Sequence, residues 1–435
     1  MKLWQKKSSS IDQKVEAFTV GDDRHWDQRL IPYDLKASAA HAQMLGEVGL
    51  ITPKEAQQLV DTLAIFQQEY RNGNFVIESN FEDMHSKIEY ELIQRLGDVG
   101  KKIHLARSRN DQVLVALQLY FKDALQEIGA ATAQLFTRLM ELAQKHQNVF
   151  LPGYTHLQIA MPSSFGLWFS AYAESLIDDL QILVAAQKIN DQNPLGSAAG
   201  YGSSFPINRS QTTEQLQFKT LKYNVVAAQM SRGKIEKILA QGIANIAETL
   251  ARFSADVCLY MSQNMDFIRF PEKITTGSSI MPHKKNPDVF ELIRGKCNAL
   301  QALPNRLSLM KTNLPSGYHR EMQLFKGPIL AGIDQILDCL QILHYSLEGI
   351  QVRSDILKDP MYEHLFTVDA INTKIQEGIP FRDAYQEVGE AVNQGTFQAP
   401  EGLQHTHEGS LGNLCLPEIQ QKFEEIYQGL ISNGN

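Results

Sequence analysis

The stretch VLVALQLYFKDALQEI, residues 113–128, decides the fold. Its large apolar residues recur at intervals of three and four positions, which is the spacing of one buried side of an α-helix. These residues are Val113, Leu114, Leu117, Phe121, Leu125 and Ile128. Proline, which interrupts helices, is absent between Pro53 and Pro152. The pattern therefore predicts one long helix with a buried side in this part of the chain.

Helical patterns also fill much of the remaining chain. A second interval without proline runs from Pro206 to Pro271, and both intervals are rich in residues that favour helix. The spacing of three and four returns at Phe169, Tyr172, Leu176, Leu180 and Leu183. Because strand-like alternation is scarce, we predict an all-α fold built on a long central helical bundle. We expect an N-terminal helical domain at 1–104, the bundle at 105–355 and a small C-terminal helical domain at 356–435.

The composition limits the possible partners and compartments. With 435 residues, 43% of them hydrophobic and 21% charged, the chain is an ordinary globular protein. A formal net charge of −8 argues against nucleic acid or an anionic membrane as the main partner. The four cysteines lie far apart, with no CxxC pair and no histidine at metal-ligand spacing. We therefore expect reduced thiols, no metal site and a cytoplasmic location. The cysteines are Cys258, Cys297, Cys339 and Cys415.

Two segments bear on membrane insertion. Residues 150–173 carry no charged side chain, but Pro152, Gly153, His156 and Pro162 interrupt them, so a membrane span is not expected. The opening residues MKLWQKKSSS lack the apolar run of a secretory signal. Both observations favour a protein that is neither inserted into a membrane nor secreted.

A polar loop with reactive side chains is predicted at TTGSSIMPHKKNPDVFE, residues 275–291. It combines the hydroxyl groups of Ser278 and Ser279 with two lysines, and it is broken by Pro282 and Pro287. Glycine and proline keep regular helix out of the segment, and a helix could open with Pro287 in its first turn. Taken alone, a Gly-Ser-Ser triplet is more often a plain surface loop.

Three shorter stretches contain further candidates for chemistry. In FEDMH, 81–85, Asp83 and His85 taken alone would be a capping aspartate and an exposed histidine. In HLARSRNDQ, 104–112, the residues Ser108, Arg109 and Asn110 are expected just before a helix, where free N–H groups favour a carboxylate. In GYTHLQ, 153–158, Thr155 and His156 lie in an uncharged segment, where a histidine alone is more often buried in the core. The glycine-rich segment at 193–206 lacks the lysine of a phosphate loop and is interpreted as a turn.

The segment GSSIMPHKKNP resembles the signature of the fumarase/aspartase superfamily, and its continuation MPHKKNPDVFELIR is similar to argininosuccinate lyases. The resemblance extends through EDMH, RSRNDQ, GYTHLQ and PSGYHREMQLFK in the same order. It implies a three-domain, fumarase/aspartase-like chain that eliminates fumarate from argininosuccinate to give arginine, in arginine biosynthesis. It also implies no metal or organic cofactor, a small-molecule substrate, and a homotetramer whose active sites each draw on three subunits.

The resemblance assigns roles to individual residues. Ser278 would be the base, and Lys284 and Asn286 would hold the carboxylate next to the abstracted proton. His156 would transfer a proton or polarise the substrate, oriented by Glu291. The remaining residues would bind substrate, with the last three gripping its arginine part: Asp83, His85, Ser108, Arg109, Asn110, Thr155, Tyr318, Gln323 and Lys326.

Departures from the family pattern leave the substrate open. Gly21 stands where the family has a serine, Leu105 and Ala106 replace Thr-Gly, and Met161 replaces a glutamine. The same elimination on a related N-succinylated amino acid, or on another superfamily substrate such as adenylosuccinate, therefore stays an alternative, although no phosphate-binding set is visible. An alternative of another class is a non-catalytic helical scaffold.

Overall fold

The structure, a computed structural model, describes residues 12–400, 402 and 405–431. The opening segment MKLWQKKSSS lies outside the described residues. The described part contains sixteen α-helices. They are α1 Gln13–Val20, α2 Asp23–Asp27, α3 Ile31–Glu47, α4 Pro53–Arg71, α5 Met84–Leu96, α6 Arg109–Lys145, α7 Phe165–Asn190, α8 Arg209–Gln215, α9 Val225–Met230, α10 Lys234–Tyr260, α11 Asp288–Leu300, α12 Leu303–Met310, α13 Lys326–Leu347, α14 Thr367–Gln376, α15 Phe381–Asn393 and α16 Leu416–Ile431.

The predicted all-α fold is confirmed, with four long helices at its centre. Helix α6 spans 37 residues and packs against α7 and α13, while α7 also packs against α10. The predicted stripe on α6 is buried from Leu114 to Ile128, and all five predicted apolar residues of α7 are buried too. The apolar spacing therefore identified both the helices and the sides that face the core.

Within the described residues, six short strands form three two-stranded sheets. They are β1 Phe150–Thr155, β2 Gln158–Ser164, β3 Gln192–Asn193, β4 Thr220–Leu221, β5 Ile268–Arg269 and β6 Gln351–Val352. The hairpin of β1 and β2 was not predicted. Its tip is formed by His156 and Leu157, which both have positive φ, 54° and 59°. Such a two-residue connection matches the twist of antiparallel strands.

The starts of two helices differ from the prediction. Ser108 caps α6, and its hydroxyl accepts the N–H of Asn110 at 3.2 Å. Arg109 and Asn110, expected before the helix, therefore belong to its first turn. Pro287, expected inside the first turn of α11, instead precedes that helix at its N-cap.

The described residues contain no helix that is both long and apolar enough to cross a membrane. The uncharged segment at 150–173 forms the hairpin of β1 and β2 and the first turns of α7.

Candidate active site

Seven of the ten predicted substrate-binding residues line a single cavity of about 100 Å³. The seven are Asp83, His85, Arg109, Asn110, Tyr318, Gln323 and Lys326. They come from the starts of α5, α6 and α13 and from the segment before α13. The fold thus brings together residues up to about 240 positions apart that the family resemblance had selected.

The sequence reasoning missed five charged residues of this cavity. They are Asp23, Asp27, Glu82, Arg232 and Arg320. With the predicted residues they give the cavity four carboxylates and four permanent cations. The spacing of Asp23 and Asp27, four residues apart on one helical face, is a signal that could have revealed this pair.

Asp83 caps α5 and also binds the cavity's arginine. Its Oδ1 accepts the N–H of Ser86 at 2.8 Å, and Arg109 donates to its Oδ2 at 2.7 Å. Burial alone would raise the pKa of Asp83, but the charges of His85 and Arg109 lower it to about 2. The carboxylate is therefore ionised, and it fixes the position of the Arg109 guanidinium.

His85 is buried, so the interpretation of this residue alone as an exposed histidine is wrong. Its Nδ1 lies 2.9 Å from Oδ2 of Asp34, a fully buried carboxylate on α3. Burial disfavours the imidazolium, but Asp34 outweighs burial and raises the pKa of His85 above its ordinary value. Asp34 therefore orients the ring of His85 and favours its positive charge beside the cavity.

Lys326 lines the cavity and lies between two aspartates. Its Nζ lies 2.7 Å from Asp23 and 2.5 Å from Asp27. Burial disfavours the ammonium, but Asp27 and Asp23 raise the pKa of Lys326 above its ordinary value. The lysine is thus charged and already neutralised by the protein, so it is not a free cation waiting for an anion.

Gln323 and Arg320 attach the segment before α13 to the end of α1. Gln323 donates to the carbonyls of Thr19 and Val20, both at 3.1 Å. Arg320 donates to the carbonyl of Thr19 at 2.9 Å and pairs with Glu82 at 2.9 Å. These contacts hold two distant segments together and shape the wall of the cavity. Gly21 does not line it.

The loop at 275–287 lies outside this cavity, and backbone hydrogen bonds join its two ends. Asn286 donates its N–H to the carbonyl of Thr276 at 2.8 Å, and Thr276 returns the bond at 3.3 Å. Within the loop, the Ser278 hydroxyl oxygen accepts the N–H groups of Met281 at 3.2 Å and Ile280 at 3.4 Å. Two backbone donors on one oxygen are what an oxyanion at Ser278 would need.

Lys284 and Asn286 line a second, open cavity of about 900 Å³, bordered by the loop and β5. Lys284 is exposed, while the adjacent Lys285 pairs with Glu272 at 3.3 Å. The cation predicted to hold a carboxylate is therefore accessible from solvent. The first cavity and this one share no lining residue.

Thr155 and His156 are exposed at the tip of the hairpin of β1 and β2, not buried in the core. Glu291 is exposed in the first turn of α11. Within the described part of one chain, no hydrogen bond or ion pair joins His156 to Glu291. The predicted residues thus form three groups in a single chain: the small cavity, the hairpin tip and the loop with the start of α11.

Comparisons with known proteins agree on one family. The family model described as Lyase matches residues 6–301. The chain is 50% identical over 428 residues to argininosuccinate lyase of Bacteroides thetaiotaomicron, covering 98% of this chain and 96% of that protein. It is 51% identical over 425 residues to argininosuccinate lyase of Parabacteroides distasonis, covering 98% and 95%. The chain belongs to the argininosuccinate lyase family.

Solved structures extend the likeness of this argininosuccinate lyase family member to its fold. An EDDS lyase in complex with formate has a TM-score of 0.78 at 19% identity, covering 98% of this chain and 91% of that one. A class II fumarase from Schistosoma mansoni has a TM-score of 0.74 at 17% identity, covering 95% and 94%. At these identities the likeness shows the fold, which is that of the fumarase/aspartase superfamily.

Proposed function

We propose that the protein eliminates fumarate from argininosuccinate to give arginine, in arginine biosynthesis. The observation that carries this proposal is the convergence of seven residues, predicted from the argininosuccinate lyase pattern, on one charged cavity. Half of the sequence is identical to curated argininosuccinate lyases over almost the full chain.

The charge pattern of the cavity suits the amino-acid end of such a substrate. An α-amino acid carries an ammonium and a carboxylate on neighbouring atoms, so its recognition needs both acceptors and cations within a small volume. The cavity offers four carboxylates and four cations in about 100 Å³. Because these groups already pair with one another, they are held in place before a substrate arrives.

The elimination requires removal of a proton from carbon next to a carboxylate, which places a second negative charge beside the first. In this proposal Ser278 removes the proton, and the N–H groups of Ile280 and Met281 stabilise its oxyanion. Lys284 and Asn286 hold the carboxylate that gains charge. His156, oriented by Glu291, polarises or protonates the departing nitrogen, and no metal or organic cofactor takes part.

We further propose that the active site is assembled in a homotetramer. The support is the separation, within one chain, of the cavity, the hairpin tip and the loop. A groove of about 450 Å³ between α11 and α13 is lined by exposed apolar residues, among them Leu292, Ile342 and Tyr345. Such a surface is typical of a subunit interface.

The domain boundaries and the compartment belong to the same proposal. The three domains at 1–104, 105–355 and 356–435 agree with α6 beginning at Arg109 and α13 ending at Leu347. A cytoplasmic location agrees with four cysteines that are free thiols in the structure.

Fumarate release tests the proposed reaction. Purified protein is offered argininosuccinate, adenylosuccinate, aspartate and malate separately, and fumarate is followed by ultraviolet absorbance. We expect release from argininosuccinate alone, abolished in Ser278→Ala and retained in the matched control Ser279→Ala. Fumarate release from a different compound would assign the substrate specificity to that compound. If the folded protein released no fumarate from any of the four compounds, the non-catalytic scaffold alternative would be favoured.

A further inference from the structure

The two aspartates at Lys326 differ in what their second oxygen does. The ammonium of Lys326 pairs with Oδ1 of both Asp23 and Asp27. The second oxygen of Asp27 accepts the N–H of Met84 at 3.2 Å, so both oxygens of Asp27 have partners within the protein. The second oxygen of Asp23 has no partner in the part of the chain that the structure describes. One carboxylate oxygen of a residue that lines the cavity is therefore available.

Accessibility distinguishes the same two residues. The side chain of Asp27 is 0% exposed, whereas that of Asp23 is 13% exposed and lines the cavity. Burial, together with the charge of Asp27, raises the pKa of Asp23 to about 6 against the opposing effects of Lys326 and Arg232. A carboxylate with this environment gains from a cation placed on its free oxygen.

A buried arginine lines the same cavity. Arg232 is 1% exposed, and its guanidinium pairs with Glu236 and donates to the carbonyl of Met322 at 2.9 Å. Its Nε is buried and has no hydrogen-bond partner among the described residues. Arg232 thus places a buried positive charge, already paired with Glu236, beside Asp23 in the wall of the cavity.

We propose that Asp23 is a specificity-determining residue that binds the α-ammonium of the substrate's amino-acid end, so that the enzyme rejects substrates acylated on that nitrogen. The inference rests on the proposed function and adds one residue that the family pattern does not supply. An acylated nitrogen is uncharged and carries a bulky group, so it would leave Asp23 without its cation and would not fit about 100 Å³.

Kinetics on two substrates test the role of Asp23. We compare argininosuccinate with its Nα-acetyl derivative in wild type, Asp23→Asn and Asp23→Ser. Asp22→Asn is the matched control, because it removes the same charge from the exposed neighbouring residue, which does not line the cavity. Lys326 keeps Asp27 as its partner in every variant, so the fold should be retained.

We expect wild type to prefer the free amine by at least 100-fold in kcat/KM, because acetylation removes a charged hydrogen bond and introduces a steric clash. Both Asp23 variants should raise KM for argininosuccinate about tenfold with little change in kcat, and should reduce the preference at least about tenfold. The control should match wild type. A KM within about twofold of wild type and an unchanged preference in both variants would overturn the inference while the proposed function stands.

Binding separates the two proposals if wild type releases no fumarate. Calorimetry then compares L-arginine with Nα-acetyl-L-arginine on wild type and Asp23→Asn. Tight binding of L-arginine alone, lost in the variant, would support the role of Asp23 even though the proposed reaction had failed. Absence of binding by both ligands to wild type would overturn both proposals.

Discussion

The carboxylate of Asp111 accepts the backbone N–H of Ala198 at 2.9 Å, across 87 positions of sequence. The same carboxylate accepts N–H groups from Gly196 at 3.1 Å and Ser108 at 2.8 Å. Asp111 is fully buried, and burial raises its pKa to about 6 against these three backbone bonds. One side chain thus joins the start of α6, which carries Arg109 and Asn110, to the glycine-rich loop after α7.

Replacing Asp111 with asparagine should destabilise the protein. The amide keeps the size but presents a donor to backbone N–H groups that need an acceptor, so at least one buried donor loses its partner. We expect the free energy of unfolding to fall by about 2–3 kcal/mol in chemical denaturation at fixed protein concentration. Asp61→Asn on the exposed side of α4 is the control and should change stability by less than about 0.5 kcal/mol. Equal effects of the two substitutions would contradict the role given to Asp111.

Replacing Ala106 with glycine should stabilise the protein. Ala106 has a φ of 57°, a left-handed conformation that strains any residue with a Cβ. We expect a gain of about 0.5–1 kcal/mol in the free energy of unfolding, measured by denaturation. Ala130→Gly, at an exposed position inside α6, should show the opposite sign, a loss of about 1 kcal/mol. The departure from the family pattern at position 106 would then store local backbone strain.

His41 should make the protein sensitive to mild acid. Its Nε2 lies 2.8 Å from the carbonyl of Leu105, and burial together with the charge of Arg107 lowers the pKa of His41 to about 3. The folded pKa is below the unfolded value of about 6.5, so this stability is present above pH 6.5 and is lost as the pH falls toward 3. Between pH 7.5 and 4.5 the loss from this one group is about 2–3 kcal/mol.

The variant His41→Gln tests this assignment, because glutamine can still donate to Leu105 but does not titrate. We expect it to be less stable than wild type at pH 7.5, and to lose about 2 kcal/mol less on going to pH 4.5. Denaturation curves at both pH values measure the difference. An identical pH dependence in the two proteins would show that His41 is not the group responsible.

Mixed tetramers test whether active sites are shared. We expect Ser278→Ala and His156→Ala each to be inactive alone, and activity to return when the two are unfolded together and refolded. If the two residues of one site come from different chains, up to about a quarter of sites in random mixtures contain both native residues. Each variant taken alone through the same procedure is the control. Persistent inactivity of a correctly assembled mixture would place both residues in one chain.

Much of the fold followed from the sequence because helix is a local property. The apolar spacing from Leu114 to Ile128 and the intervals without proline identified the long helices and their buried sides. The hairpin at 150–164 was not predicted, since its tip depends on positive φ at His156 and Leu157, a conformation that is uncommon in residues other than glycine. The first residues of α6 and α11 differ from the prediction because their N-caps are Ser108 and Pro287. Only the backbone path reveals these caps.

The candidate site was predicted as a set of residues but not as an arrangement. Motif resemblance selected Asp83, His85, Arg109 and Lys326, and the structure places all four on one cavity. It could not supply Asp34, the partner of His85, because nothing in the local sequence links positions 51 residues apart. Nor could it show that Lys326 is already neutralised by Asp23 and Asp27.

The sequence by itself determined the helical architecture, the family and the residue types available for chemistry, because these depend on local spacing and on short motifs. Only the tertiary structure decided which charges pair, which oxygen at Asp23 stays available and which cysteines and histidines are buried. Pairing and burial depend on distances between segments far apart in the chain, and these distances are set by packing of the whole core. The energies of buried charges follow from those distances and from the removal of water.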